Sequence, residues 1–210
     1  MKIALIIACI GHIICGITDC MMAYMKNGRF EFSDVKDNKK MQKVFEGASL
    51  KQLELAMLIG VFALFLTAFG YIGVSKIICE YSPAVGCIML GASVFFIVLI
   101  AAHHVLCGAT EWFYVRLGRT DDALNVIMDF FKRTSPAAIA YAGLLVFDIL
   151  LFVMVVTGKT VIPRWACVFN TLPAFLILAP TNIPAKGNIA NTSGCDHWRR
   201  YGHRCRQCGK

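Results

Sequence analysis

The chain has 210 residues, of which 58% are hydrophobic and 16% charged, and its net charge is +8. An ordinary soluble domain has about 45–50% apolar and about 25% charged residues, so this composition excludes a disordered chain and disfavours a soluble fold. Several apolar runs of more than about 18 residues instead predict a membrane protein, and the mean hydropathy of +0.64 agrees. The basic residues flank the apolar runs, which favours a role in membrane orientation over nucleic-acid binding.

The first apolar run, residues 3–25, is predicted to be a retained transmembrane helix. His12 and Asp19 interrupt it and no A-x-A cleavage site follows, so it does not resemble a signal peptide. A polar loop over residues 26–49 follows, with an interfacial helix expected near its end. Ser49 and Gln52 form a capping-box pattern that starts the second span, residues 50–75.

The third run, residues 84–117, would be about 51 Å long as a helix, so it must tilt or project from a hydrocarbon core of about 30 Å. Thr120 then caps an amphipathic helix that is predicted to lie on the membrane surface. The fourth and fifth spans are predicted at residues 137–157 and 161–183. The expected fold is therefore all-α, a polytopic transmembrane bundle of five spans plus a short surface helix over residues 1–192.

The distribution of basic residues predicts the orientation of the chain. One side of the membrane would hold four Lys and Arg residues and the other seventeen, of which seven lie in the first loop and four in the third. Because cytoplasmic loops carry the excess of basic residues, the first and third loops are predicted to be cytoplasmic. We expect a multi-pass protein of the inner (plasma) membrane with the N-terminus outside and the C-terminus in the cytoplasm.

Ionisable side chains within the predicted spans are candidate functional residues, because charge at membrane depth is energetically costly. On the first and third spans they form two stripes at helical spacing, namely His12, Cys15, Gly16 and Asp19, and His104, Cys107, Gly108 and Glu111. We expect the two stripes to face each other, with a contact between His104 and a carboxylate. The candidate pocket, which opens toward the cytoplasm, comprises His12, Asp19, His104, Glu111, Asp148 and Asn182, and Asp148 needs a partner such as His12 or Asn170.

Three functions are consistent with these residues. The favoured one is binding or transport of a small molecule or lipid through the pocket. The second is an intramembrane enzyme acting on lipid, with His104 and either Glu111 or Asp19 as an acid–base pair. In the third, the polar groups only join helices in a structural subunit. The partners expected are the lipid bilayer and such a ligand, and the sequence indicates no oligomeric state.

No cofactor motif is present, and the histidine and carboxylate spacing matches no zinc signature, so neither a cofactor nor a metal is predicted. Arg164 and Trp165 are expected at headgroup depth, either snorkelling with an aromatic belt or binding an anionic headgroup. Seven of the ten cysteines lie in or beside apolar runs, where cysteine behaves as a small hydrophobe, so no disulfide framework is predicted.

Residues 193–210 form a basic tail rich in cysteine and histidine, which is expected to be disordered. Its one CxxC pair, Cys205 and Cys208, could bind zinc with Cys195, His197 and His203, although the remaining spacings do not fit known zinc sites. The other interpretation is a frame-shifted end.

Three segments resemble an uncharacterised family of small polytopic bacterial membrane proteins, a domain of unknown function. They are the Gly-x-x-x-x-Gly-x-x-Asp pattern within 11–24, the His-to-Glu-x-Phe-Tyr stretch within 102–118, and the run 163–170 followed by Pro184 and the Asn-rich 188–191. The resemblance implies a bundle of six spans, of which this chain would lack the last. It implies no activity.

The orientation can be tested with a topology reporter fused after Lys40. Because residues 26–49 are predicted to be cytoplasmic, only a reporter that is active in the cytoplasm should give a signal there. Activity of a periplasmic reporter at the same position would show that the orientation is the reverse.

Overall fold

The computed structural model describes residues 2–173, and almost all of the regular structure in them is helical. The helices are α1 (Lys2–Ala23), α2 (Asn38–Phe45), α3 (Leu50–Tyr81), α4 (Pro83–Arg116), α5 (Asp121–Thr134) and α6 (Ala140–Val156). Four segments of this part of the chain are long and apolar enough to cross a membrane: α1, α3, α4 and the continuous stretch from α5 through α6. The all-α class is confirmed, and the segments are those of a multi-pass membrane protein.

Two of the predicted helix caps are present. The Thr120 hydroxyl accepts a hydrogen bond from the Ala123 N–H at 3.1 Å, and the Ser49 hydroxyl accepts one from the Gln52 N–H at 3.3 Å. The Gln52 side chain does not complete the capping box. It donates instead to the main-chain oxygen of Met21 at 2.7 Å, which ties the start of α3 to the end of α1.

The long helices pack as sequential neighbours, with extensive contact between α1 and α3, between α3 and α4, and between α4 and α6. The expectation that the first and third spans pack face to face is therefore wrong, because α3 lies between α1 and α4. Glycines of α1 and α4 lie at these contacts with α3 and allow a close approach. A Cβ added to Gly11 of α1 would lie 2.8 Å from the main-chain oxygen of Ala63, and one added to Gly108 of α4 would overlap the Met57 side chain.

At one end of the bundle, the first and third loops fold together into a small domain that we call the cap, residues 24–49 together with 117–134. It contains a two-residue antiparallel hairpin, β1 (Tyr24–Met25) and β2 (Gly28–Arg29), followed by α2 and α5. Its buried cluster includes Met41, Phe45 and Ile127, together with Tyr114 from the end of α4.

The cap changes the interpretation of the amphipathic helix. The apolar face of α5, including Leu124, Ile127 and Phe131, is buried against protein, whereas the sequence predicts that it lies on the membrane surface. The 3.6-residue period shows only that one face is apolar and does not identify what covers that face.

Arg119 holds the parts of the cap together. Its guanidinium donates to the main-chain oxygen of Phe45 at 2.7 Å, and its own main-chain oxygen accepts from the side-chain amides of Asn38 and Gln42 at 3.2 and 3.0 Å. Its φ of 60° lies in the left-handed region, which is uncommon for a residue other than glycine, and these bonds over-determine that conformation.

The chain after α6 differs from the predicted fifth span. Residues 161–163 are not helical, Arg164–Phe169 forms a 3-10 helix, and an α-helical turn begins only at Thr171. Pro163 and Asn170 both have extended backbones, which interrupts a continuous helix, and the Asn170 side chain caps the new turn by accepting from the Leu172 N–H at 2.9 Å. The rest of that span and the tail lie outside the described residues.

The close approach of α1 and α3 predicts that Gly11→Ala destabilises the protein. The new Cβ would lie 2.8 Å from both the Ala63 oxygen and the Thr67 nitrogen, which are main-chain atoms and cannot rotate away. We expect the free energy of unfolding to fall by about 1–3 kcal/mol, measured by SDS titration in mixed micelles. Gly91→Ala is the matched control, because a Cβ there meets nothing within 4 Å. Equal effects of the two substitutions would contradict the packing.

Candidate functional site

Asp19 of α1 and His104 of α4 meet across α3. The His104 Nδ1 lies 3.3 Å from the Asp19 Oδ1, and the two side chains are 5% and 10% exposed. The imidazole passes directly over Gly60 of α3, where a Cβ would overlap the ring. Any side chain at position 60 would block this contact, so a glycine in the intervening helix allows two non-adjacent helices to share a polar pair. The predicted histidine–carboxylate contact is thus present, although it crosses α3 rather than a direct α1–α4 interface.

Each ring nitrogen of His104 has a polar neighbour. The Nε2 lies 3.2 Å from the main-chain oxygen of Ala56, which can only accept, so this nitrogen is the donor. The Nδ1 faces the Asp19 Oδ1, which has no hydrogen-bond partner among the described residues. The pair therefore leaves neither polar side chain alone among the apolar helices, where an unpaired polar group is costly.

Glu111 lies two turns further along α4 and faces a different space. It is 9% exposed, and its Oε2 is buried without a hydrogen-bond partner. Glu111 also lines a cavity between α4 and the cap. The other lining residues are Phe30, Phe32, Val35, Met41, Cys107, Thr110, Tyr114, Ile127, Met128 and Phe131. The cavity volume is about 30 Å³, enough for one or two water molecules or one small polar group.

The Asp19–His104 pair and Glu111 are separated by methionine side chains. The Met57 side chain covers Gly108, which lies between His104 and Glu111 on the same face of α4, and the Met22 sulfur would lie 3.1 Å from a Cβ there. The residues proposed as one pocket therefore belong to at least two environments, one closed and one with a cavity.

Asp148 belongs to a third environment, in the middle of α6, and is 5% exposed. The Asn170 side chain donates to the main-chain oxygen of Asp148 at 3.1 Å. Of the two partners expected from the sequence, Asn170 is adjacent but binds the backbone. His12 lies elsewhere on the surface of α1, with its ring centroid 6.0 Å from that of Tyr71. Asn182 lies outside the described residues.

Arg164 contacts the end of α6. Its Nη2 lies 3.5 Å from the main-chain oxygen of Thr157, and its Nε would lie 2.6 Å from a Cβ on Gly158. A guanidinium next to the last carbonyl groups of a helix interacts favourably with the helix dipole. Headgroup binding by Arg164 and Trp165 stays a prediction.

The sequence interpretation of the site omits its apolar wall. Phe30 and Phe32 are in the first loop and Phe131 is in α5, so they are far apart in sequence and meet only when the cap folds. The sequence feature that could have indicated this wall is the presence of Phe30 and Phe32 in an otherwise charged loop. Within residues 2–173, no group of three or more His, Cys, Asp or Glu side chains is arranged to hold a metal ion.

Residues 1–196 match the model of a protein family of unknown function, DUF6796. The chain belongs to this family. No curated protein and no solved structure matches it. The uncharacterised family expected from the sequence is confirmed. Since DUF6796 supplies no activity, the function of this DUF6796 chain has to be argued from its own residues.

The geometry of the polar pair predicts that substitutions of Asp19 and His104 have non-additive effects on the free energy of unfolding. His104→Phe keeps a ring over Gly60 but leaves a buried carboxyl group without a partner, so we expect a loss of about 1–3 kcal/mol in the free energy of unfolding. Asp19→Leu in the same chain should restore part of that loss, which a double-mutant cycle in mixed micelles measures.

His103→Phe is the control, because that histidine contacts Cys107 and Tyr141 and not Asp19. Additive effects of the Asp19 and His104 substitutions would show that the two residues do not interact.

Proposed function

We propose that this membrane protein binds the cationic head of a small molecule or lipid in the cavity between α4 and the cap, with Glu111 as the charged anchor. The observation that carries the proposal is that Glu111 lines this cavity and has a buried carboxyl oxygen, Oε2, without a hydrogen-bond partner. The proposed setting is the inner membrane, with the cap on the cytoplasmic side, where the excess of basic residues places it.

The charge of the site favours a cation. An ionised carboxylate that is buried without a partner is unfavourable, and a bound ammonium group would supply the missing hydrogen bonds and charge. The aromatic rings in the wall favour the same ligand, because their faces attract cations. Phe30, Phe32 and Phe131 are in mutual reach, with centroids 5.8 Å apart for the first pair and 4.8 Å for Phe32 and Phe131.

The size of the cavity limits what enters it. Ordinary small-molecule sites have about 300–1,000 Å³, whereas this cavity has room for only one small group. A whole drug-sized molecule does not fit. An ammonium group fits, and an apolar body attached to it would remain outside, next to the half-exposed Phe32 ring.

The Asp19–His104 pair supports a structural role better than catalysis. The two side chains are close enough for an acid–base pair, but both are buried. The two ring nitrogens of His104 already face Asp19 and the main-chain oxygen of Ala56, so neither is directed at a substrate. The enzyme alternative therefore has no specific support.

Binding can be tested with 2-phenylethylamine as the probe, by calorimetry on the purified full chain in detergent. Loss of the anion should weaken binding at least tenfold in Glu111→Gln, since hydrogen bonds to charged groups contribute about 1.5–3 kcal/mol. Phe32→Leu should weaken it by a smaller factor. Glu54→Gln is the control, because that carboxylate is exposed and pairs with the Trp112 indole.

A parallel measurement separates a free amine from a lipid headgroup. In nanodiscs, native mass spectrometry should show phosphatidylethanolamine retained over phosphatidylglycerol, and Glu111→Gln should abolish this preference if the ligand is the lipid. Amine binding without the lipid preference would identify a free amine. The proposal fails if neither ligand binds, or if Glu111→Gln binds both as the unaltered protein does.

A further inference from the structure

We propose that Cys79 and Cys87 form a reversible disulfide that joins α3 to α4 at the end of the bundle opposite the cap. The two helices are connected by Ser82 alone, since α3 ends at Tyr81 and α4 begins at Pro83. The Cys79 sulfur lies at this junction, because a Cβ added to Gly86, the residue before Cys87, would overlap it. Spacing along the chain does not distinguish these two from the other five cysteines in apolar surroundings.

Gly86 brings the two backbones together at this point. A Cβ added to Gly86 would lie 2.5 Å from the main-chain nitrogen of Cys79 and 2.7 Å from its Cα. Cys87 is the next residue, so its side chain starts from a backbone that already touches that of Cys79. A bond between the two cysteines would therefore join backbones that are already in contact at this level, whereas thiols on separated helices would require movement of the backbone.

The charges on α3 place the pair at the membrane surface. Residues 55–75 contain no Asp, Glu, Lys or Arg, and these 21 residues form about 31 Å of helix, which equals the thickness of the hydrocarbon core. Lys76 and Glu80 follow and mark the headgroup region, with Cys79 between them. Cys87 is exposed. Water-soluble thiol reagents can therefore reach the pair, unlike thiols in the hydrocarbon core.

The predicted orientation places this end outside the cytoplasm, where disulfides form and persist. The co-reactant is a thiol–disulfide oxidant of that compartment, written R–S–S–R. One cysteine thiolate attacks it, forming a mixed disulfide and releasing one R–S⁻, and the second cysteine then displaces the other. The sulfur atoms of Cys79 and Cys87 lose two electrons in total, the oxidant gains them, and the two thiol protons end on the two R–SH products.

The test uses the full chain in detergent, oxidised with excess glutathione disulfide, alkylated and then cleaved after glutamate. Cleavage after Glu80 separates Cys79 from Cys87, so the fragments 55–80 and 81–111 stay joined only if a disulfide connects them. We expect the joined pair in mass spectra, its release by dithiothreitol, and a loss of two alkylatable thiols per chain.

Three serine substitutions identify the bond. Cys79→Ser and Cys87→Ser should each abolish the link, whereas Cys107→Ser, in the same 81–111 fragment, should retain it. The proposal is overturned if both cysteines remain alkylatable under oxidation, if the link persists without Cys87, or if the product is a disulfide-linked dimer on a non-reducing gel.

Discussion

The arrangement of the long helices depends on one contact, the Asp19–His104 pair that crosses α3 at Gly60. Hydrophobic burial cannot select one register among helices in lipid, because lipid chains are as apolar as the side chains. A polar pair that must not be left unpaired can do so. With His104 over Gly60, the positions of α1 and α4 along α3 are fixed together. Gly11, Gly60 and Gly108 then each lie where a Cβ would overlap atoms of a neighbouring helix.

The register set by this contact positions the two ends of the bundle. At one end, α4 extends into the cap and supplies Glu111 and Tyr114 to it, so the cavity is formed by a long apolar helix on one side and by residues of the two loops on the other. At the other end, the short connection through Ser82 holds Gly86 against Cys79. The proposed ligand site and the proposed redox site are therefore distant features of the same α3–α4 pair.

Local patterns predict the helical class and two caps well, since apolar length and capping residues act within a few residues. The contact between His104 and a carboxylate was also predictable, because few polar groups were available to pair. The intervening position of α3 and the cavity wall were not. Both depend on contacts between residues that are distant in sequence, such as Gly60 with His104 or Phe32 with Phe131, and no local periodicity encodes them.

The separation of Asp19 and His104 along the chain has a consequence for biosynthesis. They are 85 residues apart, and at a synthesis rate of about 5–20 residues per second the ribosome adds His104 roughly 4–17 s after Asp19. During that interval the first span carries a carboxyl group whose partner does not yet exist. A lone acid at membrane depth opposes insertion. The inserted position of α1 therefore becomes fully stable only after α4 has been synthesised. The first helix to be synthesised is therefore stabilised in the bundle by a residue of a helix that is synthesised later.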